Sequence, residues 1–207
     1  MIPDWMMQLV DAAPSATLDS LGFRRHSDVE PRHAAVLIVI GPHREHGEVI
    51  VIQRAHGDDP HSGQVAFPGG QVEPADESLS ATALREAHEE IGLDPNSVSI
   101  IAELPRVWLP PSGFFVTPVL AWWHEPHDLI VKDASEVASV HRIPIGHVVH
   151  PENRFQIRAA NGFIGPAFSV ESMTVWGFTG ALLSEVVDLA GWAVPWDTTR
   201  IQDLNSL

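Results

Sequence analysis

The sequence contains no cysteine, a single lysine (Lys132) and no long hydrophobic run. The lack of cysteine excludes disulfides, thiolate nucleophiles, cysteine-ligated zinc sites and iron–sulfur clusters, so any catalysis falls to other side chains. The longest apolar stretch, Ala34–Ile40, is far shorter than the roughly 20 residues that cross a bilayer. No basic leader precedes an apolar segment at the N-terminus. These features predict a cytoplasmic protein with no membrane partner.

Positive charge is also scarce. Twelve Lys and Arg residues stand against 27 Asp and Glu residues, which gives a formal net charge of −15. A field of this sign repels nucleic acids and anionic membrane surfaces, so neither is expected as a partner. An anionic ligand would need a local feature that reverses the sign of the charge.

The length and composition favour one domain preceded by a short arm. The chain has 207 residues, of which 44% are hydrophobic and 19% are charged, enough for one packed core. Segments 4–12 and 15–21 predict two short helices interrupted by Pro14. We therefore divide the chain into a helical arm, residues 1–32, and a domain, residues 33–207. The arm is a candidate surface for homodimer formation.

The hydrophobic pattern of the domain predicts a mixed sheet flanked by helices, an α/β fold. The β-branched runs His33–Ile40 and Glu48–Gln53 predict two strands joined as a hairpin, and Ser78–Ile91 predicts a helix. Further strands are predicted at Val98–Leu104, Phe115–Trp123, Glu136–Ile143, Asn153–Ile157 and Met173–Thr174, and further helices at Ile145–His150 and Trp176–Ala190.

The helix predicted at Ser78–Ile91 gathers acids on one side. At about 100° per residue, Glu86, Glu89 and Glu90 fall within an arc of roughly 100°, next to an apolar arc. The acids repel one another and oppose the helix dipole, and no lysine offsets them, which favours a divalent cation. Oxygen ligands indicate Mg²⁺ or Mn²⁺. The alternative is an ordinary solvated acidic face.

Upstream of these acids, Phe67-Pro68-Gly69-Gly70 forms a turn in which the backbone can approach a ligand closely. The turn and the helix together resemble the signature of the Nudix hydrolase family. The matching residues are Gly70, Asp76 or Glu77, Arg85, Glu86, Glu89, Glu90 and Gly92. Counting from the two ends of the signature leaves open whether Asp76 or Glu77 is its first acid. The resemblance implies the Nudix fold, an α/β/α sandwich with a mixed β-sheet, and hydrolysis of a nucleoside diphosphate linked to another group.

The segment Ile50–Gly70 and four segments further along resemble the coenzyme A diphosphatase branch of that family. Arg54, Gly63 and 67–70 match the branch pattern, whereas Ile52, Ala55 and Asp59 stand where it has Thr, Ser and Arg. The resemblance implies a nucleotide substrate, coenzyme A or acyl-CoA, cut into 3′,5′-ADP and 4′-phosphopantetheine or its acyl derivative. Because Asp59 would repel the 3′-phosphate, other nucleoside diphosphate substrates stay open: ADP-ribose, a dinucleotide or a modified nucleoside triphosphate. A non-catalytic nucleotide-binding module is a further alternative.

The resemblance also assigns roles. Metal ligands are Glu86, Glu89 and Glu90, and the catalytic set is Glu89, Glu136 and Arg85. Arg85 is expected to pair with Asp76 or Glu77 and so fix the loop. The general base lies in the helix or in a later loop; Glu136 is the candidate outside the helix, and a solvent-facing acid is the alternative. Substrate-binding candidates are Arg54, Gly69, Gly70 and Phe114. Arg54 would hold a phosphate, with an ordinary surface ion pair as the alternative, and Phe114 would stack on adenine, line a pantetheine channel or serve in packing.

Overall fold

The computed structural model describes residues 1–17, 32–44, 47–57, 62–109, 113–159 and 162–204. The strands are β1 (Arg32–Gly41), β2 (Glu48–Arg54), β3 (Val65–Ala66), β4 (Gly69–Gln71), β5 (Val98–Glu103), β6 (Val107–Leu109), β7 (Phe114–Trp123), β8 (Val137–Pro144), β9 (Arg154–Arg158), β10 (Ile164–Val170), β11 (Met173–Val175) and β12 (Ile201–Asp203). The α-helices are α1 (Met7–Ala12), α2 (Leu79–Ile91), α3 (Ile145–Val148) and α4 (Gly177–Leu189).

The main sheet has the strand order β3-β2-β1-β7-β5, with β4 on β1, β6 on β7 and β8 on β2. Strands β1 and β7 are parallel and the other pairs are antiparallel, so the sheet is mixed as predicted. The predicted β1–β2 hairpin is present only near its turn, where Ile40 faces Val49. Beyond that point β4 replaces β2 beside β1, with Ala35 opposite Gly70. The strands therefore part and admit the glycine turn into the sheet.

Both faces of the sheet are covered, because the buried residues of β1 alternate between them. Leu37 and Val39 pack against α2, and Ile38 and Ile40 pack on the opposite face, which α4 and α1 cover. This arrangement confirms the predicted α/β/α sandwich. A second sheet, in the order β11-β10-β9-β12, lies beside the first, and β10 packs against α4.

The N-terminal segment packs on the α4 side of the sheet. Its first helical segment is present as a 3₁₀ turn, Asp4–Met6, followed by α1. The indole of Trp5 lies 5.9 Å from that of Trp122 and 5.5 Å from that of Trp192, measured between ring centroids. The second predicted helical segment, 15–21, falls mostly outside the described residues.

The strands missed by the sequence pattern are mostly too short to show a period. Strands β3, β4, β6 and β12 have two or three residues each. Strand β10 is longer, but Gly165 and Pro166 interrupt its apolar alternation. In the described part of the chain, no helix is long and apolar enough to cross a membrane.

Candidate active site

Helix α2 is held at both ends, which fixes the position of its acids. At the start, the Ser78 hydroxyl accepts a hydrogen bond from the Ala81 N–H at 3.0 Å, an N-cap of the usual kind. At the end, Gly92 adopts the left-handed conformation, with φ 69°. The backbone N–H of Lys132, in the loop before β8, donates to the Glu90 carbonyl at 2.9 Å. That loop therefore pairs a carbonyl that the helix leaves without an internal partner.

The glycine turn needs two glycines because it lies between β1 and α2. A Cβ at Gly69 would lie 2.3 Å from the Ala35 carbonyl oxygen, and its φ of 154° disfavours other residues. A Cβ at Gly70 would lie 2.4 Å from Oε1 of Glu86. Both distances are well inside van der Waals contact. A side chain at position 69 would force the backbones of β4 and β1 apart, and one at position 70 would displace the carboxylate of Glu86.

Glu90 is almost fully buried at the foot of this turn, with 2% of the residue exposed. Its Oε2 accepts a hydrogen bond from the Gly69 N–H at 3.0 Å, and Oε1 has no hydrogen-bond partner within the described part of the chain. Burial raises the pKa of Glu90 to about 8, and the negative charges of Glu86 and Glu136 add to the effect, while the Gly69 N–H and Arg54 oppose it. A buried carboxylate with one unpaired oxygen favours a cation or a proton beside it.

Glu86 lies one helical turn earlier, over Gly70, and 14% of its side chain is exposed. Burial raises its pKa, the nearby Arg85 guanidinium lowers it, and the charges of Glu89 and Glu136 raise it further. Nη1 of Arg85 lies 3.0 Å from Oε1 of Glu86 and 3.1 Å from Oε2 of Glu89. The predicted acids therefore share one side of the helix, and Arg85 lies among them.

Arg85 also ties the loop before α2 to the helix. Its Nε and Nη2 each donate to a different oxygen of Asp76, both at 3.0 Å, and Nη2 also donates to the Gln71 carbonyl at 3.0 Å. The Thr82 hydroxyl donates to Asp76 Oδ2 at 2.9 Å. These hydrogen bonds, those from Arg85 above all, hold the pKa of Asp76 well below its usual range. Of the two acids that counting leaves open, Asp76 pairs with Arg85 and Glu77 is exposed.

A cavity of about 470 Å³ opens beside these residues, lined by Gly70, Gln71, Val72, Glu73, Pro74, Glu86 and Glu136. Glu136 lies in the turn before β8, with its N–H 3.3 Å from the Asp133 carbonyl. Its own carbonyl accepts from the Ala55 N–H at 2.8 Å, which ties this turn to the end of β2. The predicted acid from outside the helix is thus brought to the same cavity as Glu86.

The remaining predicted residues differ in how close they lie to the cavity. Arg54, at the end of β2, is half-buried and close enough to Glu90 to lower its pKa. Phe114 is not brought to the cavity: it lies beside Arg32, whose guanidinium carbon is 4.0 Å from the ring centroid. Its neighbour Phe115 faces the α2 side of the sheet instead. Asp59 lies outside the described residues.

The acids fit a hard divalent cation by their chemistry, although they do not converge on one point. Across the described ranges, no three Asp, Glu or His side chains form a ready-made metal cluster. Arg85 holds Glu86 and Glu89 in ion pairs, whereas Glu90 Oε1 is buried and has no partner among the described residues. Carboxylate oxygens are the ligands that Mg²⁺ and Mn²⁺ prefer. The donors therefore suit such an ion, and the unpaired oxygen of Glu90 is a buried position for it.

The sandwich, the glycine turn and the acidic helix together define a Nudix-type protein, and the comparisons agree. A NUDIX domain model matches residues 31–159. The chain is 36% identical over 172 residues to the uncharacterized Nudix hydrolase NudL of Salmonella paratyphi B. The aligned region covers 78% of this chain and 84% of that relative. This chain belongs to the Nudix family and is a Nudix hydrolase.

Solved structures share the fold. RenU, a Nudix hydrolase from M. smegmatis, superposes with a TM-score of 0.55 at 18% identity and covers 82% of this chain and 92% of its own. A MutT/nudix family protein from Enterococcus faecalis has a TM-score of 0.51 at 17% identity, covering 90% of this chain and 73% of its own. At these identities the likeness concerns the fold alone.

Proposed function

We propose that this Nudix hydrolase cleaves the diphosphate bond of coenzyme A or acyl-CoA, giving 3′,5′-ADP and 4′-phosphopantetheine or its acyl derivative. The supporting observation is that the segment resembling the coenzyme A branch, Ile50–Gly70, lies beside Glu90. Within that segment, Gly69 donates a hydrogen bond to Glu90, and Arg54 acts electrostatically on the same carboxylate. The residues that distinguish the branch therefore adjoin the acids that distinguish the family.

We assign Mg²⁺ or Mn²⁺ to Glu86, Glu89 and Glu90. The support is the buried Oε1 of Glu90, which no described residue pairs, together with the raised pKa values of Glu90 and Glu86. When bound, such an ion neutralises diphosphate charge and lowers the pKa of a coordinated water.

The protein's own groups supply positioning and proton transfer. Water attacks one phosphorus, its proton passes to a carboxylate, and the bond from that phosphorus to the bridging oxygen breaks. Glu136 is our candidate base because it lines the cavity with Glu86; Glu89 is the candidate within the helix. Arg54 holds a phosphate oxygen, and Arg85 keeps the loop in place through Asp76.

A substrate screen tests this proposal. The purified protein is incubated with Mg²⁺ or Mn²⁺ and, separately, with coenzyme A, ADP-ribose, NADH and nucleoside triphosphates, and the products are identified by chromatography. We expect coenzyme A to yield 3′,5′-ADP. Turnover of ADP-ribose, a dinucleotide or a nucleoside triphosphate without turnover of coenzyme A would reject the substrate and leave the hydrolase activity standing.

The base is tested by comparing Glu136→Gln with Glu89→Gln in pH–rate profiles. If Glu136 takes the proton, its replacement removes the acidic limb of the kcat profile, and the other variant keeps that limb. The reverse pattern would assign the base to the helix. A cytoplasmic location and a homodimer formed through the N-terminal arm stay predictions, tested by cell fractionation and by sedimentation.

A further inference from the structure

A row of side chains leads from the cavity across four strands. The Val72 N–H, one residue beyond β4, donates to the His33 carbonyl at 3.0 Å, which continues the β4–β1 pairing. His33 of β1 lies beside Phe115 of β7, and Phe115 lies beside Trp108 of β6. Residues paired in this way point to the same face of a sheet. The row therefore begins at a residue that lines the cavity.

The row lies on the α2 face, which is the face of Glu86. Side chains alternate along β1, and Ala35 and Leu37 pack against α2, so His33 points the same way. Gly70, opposite Ala35, is the residue whose Cβ would meet the carboxylate of Glu86. The row that contains His33 therefore lies next to the pair Ala35 and Gly70 on the same face of the sheet. Two strand spacings, about 10 Å, separate the backbones of residues 72 and 115.

The Arg106 side chain lies over Phe115 of this row. Its guanidinium carbon lies 4.8 Å from the ring centroid of Phe115, and His33 stacks on that ring at 6.1 Å with 24° between the planes. Trp108, with 5% of the residue exposed, meets Phe115 edge-on at 5.2 Å. The face of an aromatic ring attracts a guanidinium through its charge, an interaction that uses none of the N–H donors. The aromatic base thereby holds a cation in place without using its hydrogen-bond donors.

Arg106 differs from several cations of this acidic protein. Three other described guanidinium groups are held by acids: Arg85 by Asp76, Arg142 by Glu48 and Arg158 by Asp203. Arg106 is exposed and, among the residues that the structure describes, has no acidic partner. The row therefore supplies the local reversal of charge that an anionic ligand needs in a chain of net charge −15.

We propose that Arg106, with His33 beside it, binds a phosphate monoester on the nucleoside part of the substrate while the diphosphate lies at the cavity. The inference rests on the proposed function, and for coenzyme A the group bound is the 3′-phosphate. The two strand spacings between residues 72 and 115, about 10 Å, are the span that the nucleoside has to bridge. Arg106 then provides the attraction that an aspartate at position 59 does not.

The test compares ligands that differ only in this phosphate. KM and kcat are measured for coenzyme A and dephospho-coenzyme A with the wild type and Arg106→Ala, and Arg158→Ala on the second sheet serves as the matched control. We expect the Arg106 variant to raise KM for coenzyme A about tenfold, with KM for dephospho-coenzyme A and both kcat values nearly unchanged. Arg106→Lys, which keeps the charge but loses the planar guanidinium, should give a KM for coenzyme A between those of the wild type and Arg106→Ala.

A binding measurement separates this inference from the proposed function. Calorimetric titration compares 3′,5′-ADP with 5′-AMP, and we expect the wild type to prefer 3′,5′-ADP and the Arg106→Ala variant to lose that preference. If coenzyme A is not hydrolysed but this preference and its loss are seen, the subsite stands and the proposed reaction does not. Equal binding of the two nucleotides by the wild type, or an equal effect of Arg106→Ala on both members of either pair, would overturn the subsite.

Discussion

Replacing Glu90 by Gln should stabilise the protein at alkaline pH while removing its activity. The folded protein keeps the proton of Glu90 up to about pH 8, whereas the unfolded chain releases it near 4.5, the ordinary pKa of the group. Between these values the folded state binds more protons, so the free energy of unfolding falls as pH rises. The stabilisation is complete below about pH 4.5 and lost above about pH 8.

The size of the effect follows from that interval. A difference of about 3.5 between the two pKa values, at about 1.4 kcal/mol per pKa unit, corresponds to about 5 kcal/mol. Gln keeps a carbonyl oxygen that can accept from the Gly69 N–H but has no charge to bury. We therefore expect Glu90→Gln and the wild type to unfold with similar free energies below about pH 4.5, and the variant to be about 5 kcal/mol more stable above about pH 8.

Urea unfolding followed by tryptophan fluorescence, in the presence of a chelator, measures this difference. Glu89→Gln is the matched control: 56% of the Glu89 side chain is exposed, so we expect its loss to change the unfolding free energy little. Excess Mn²⁺ at about pH 8 should stabilise the wild type by about 2.7 kcal/mol at a hundred times its Kd, and the variant much less. Turnover by Glu90→Gln should fall by orders of magnitude relative to the wild type. If the free energies of unfolding of Glu90→Gln and the wild type fell by the same amount between about pH 4.5 and about pH 8, the reasoning would be refuted.

Two further substitutions test the glycine turn and the loop. Gly70→Ala places a methyl group 2.4 Å from Oε1 of Glu86, which would displace this carboxylate. We expect turnover to fall at least tenfold, which corresponds to an increase of about 1.4 kcal/mol in the activation free energy. Gly146→Ala, whose new Cβ would meet no described residue within 4 Å beyond its own turn of helix, should leave the rate unchanged. Equal rates for the two variants would contradict the packing at Gly70. Asp76→Asn should lower both thermal stability and kcat because it weakens the pairing with Arg85. The exposed neighbour Glu77→Gln should do neither, and the opposite result would reassign the acid.

Local features were readable from the sequence because they depend on neighbours along the chain. The acidic helix follows from apolar spacing, and its ends follow from Ser78 as N-cap and Gly92 as C-terminal stop. Both lie within a residue of the predicted bounds. The strands long enough to alternate, β1, β2, β5, β7 and β8, were predicted for the same reason. The glycine turn was recognisable from its composition, although its pairing with β1 was not.

Contacts between distant segments depended on the fold. The hairpin was confirmed only at its turn, because the partner of the first half of β1 is β4, more than thirty residues away. The choice between Asp76 and Glu77 depends on the path of a loop, which a residue count does not reveal. Thr82, whose hydroxyl supports Asp76, has no distinguishing mark in the sequence.

Residue types and helical spacing by themselves determined that three acids share one side of a helix after a glycine turn, and with that the family and the expectation of a divalent cation. Tertiary structure alone decided which side chains reach the cavity. Adjacent residues of a strand point to opposite faces, so Phe115 joins the α2 face and Phe114 the other, although both are aromatic and neighbours in the chain. Which face is the functional one depends on the helix that packs there, a contact between residues far apart in sequence.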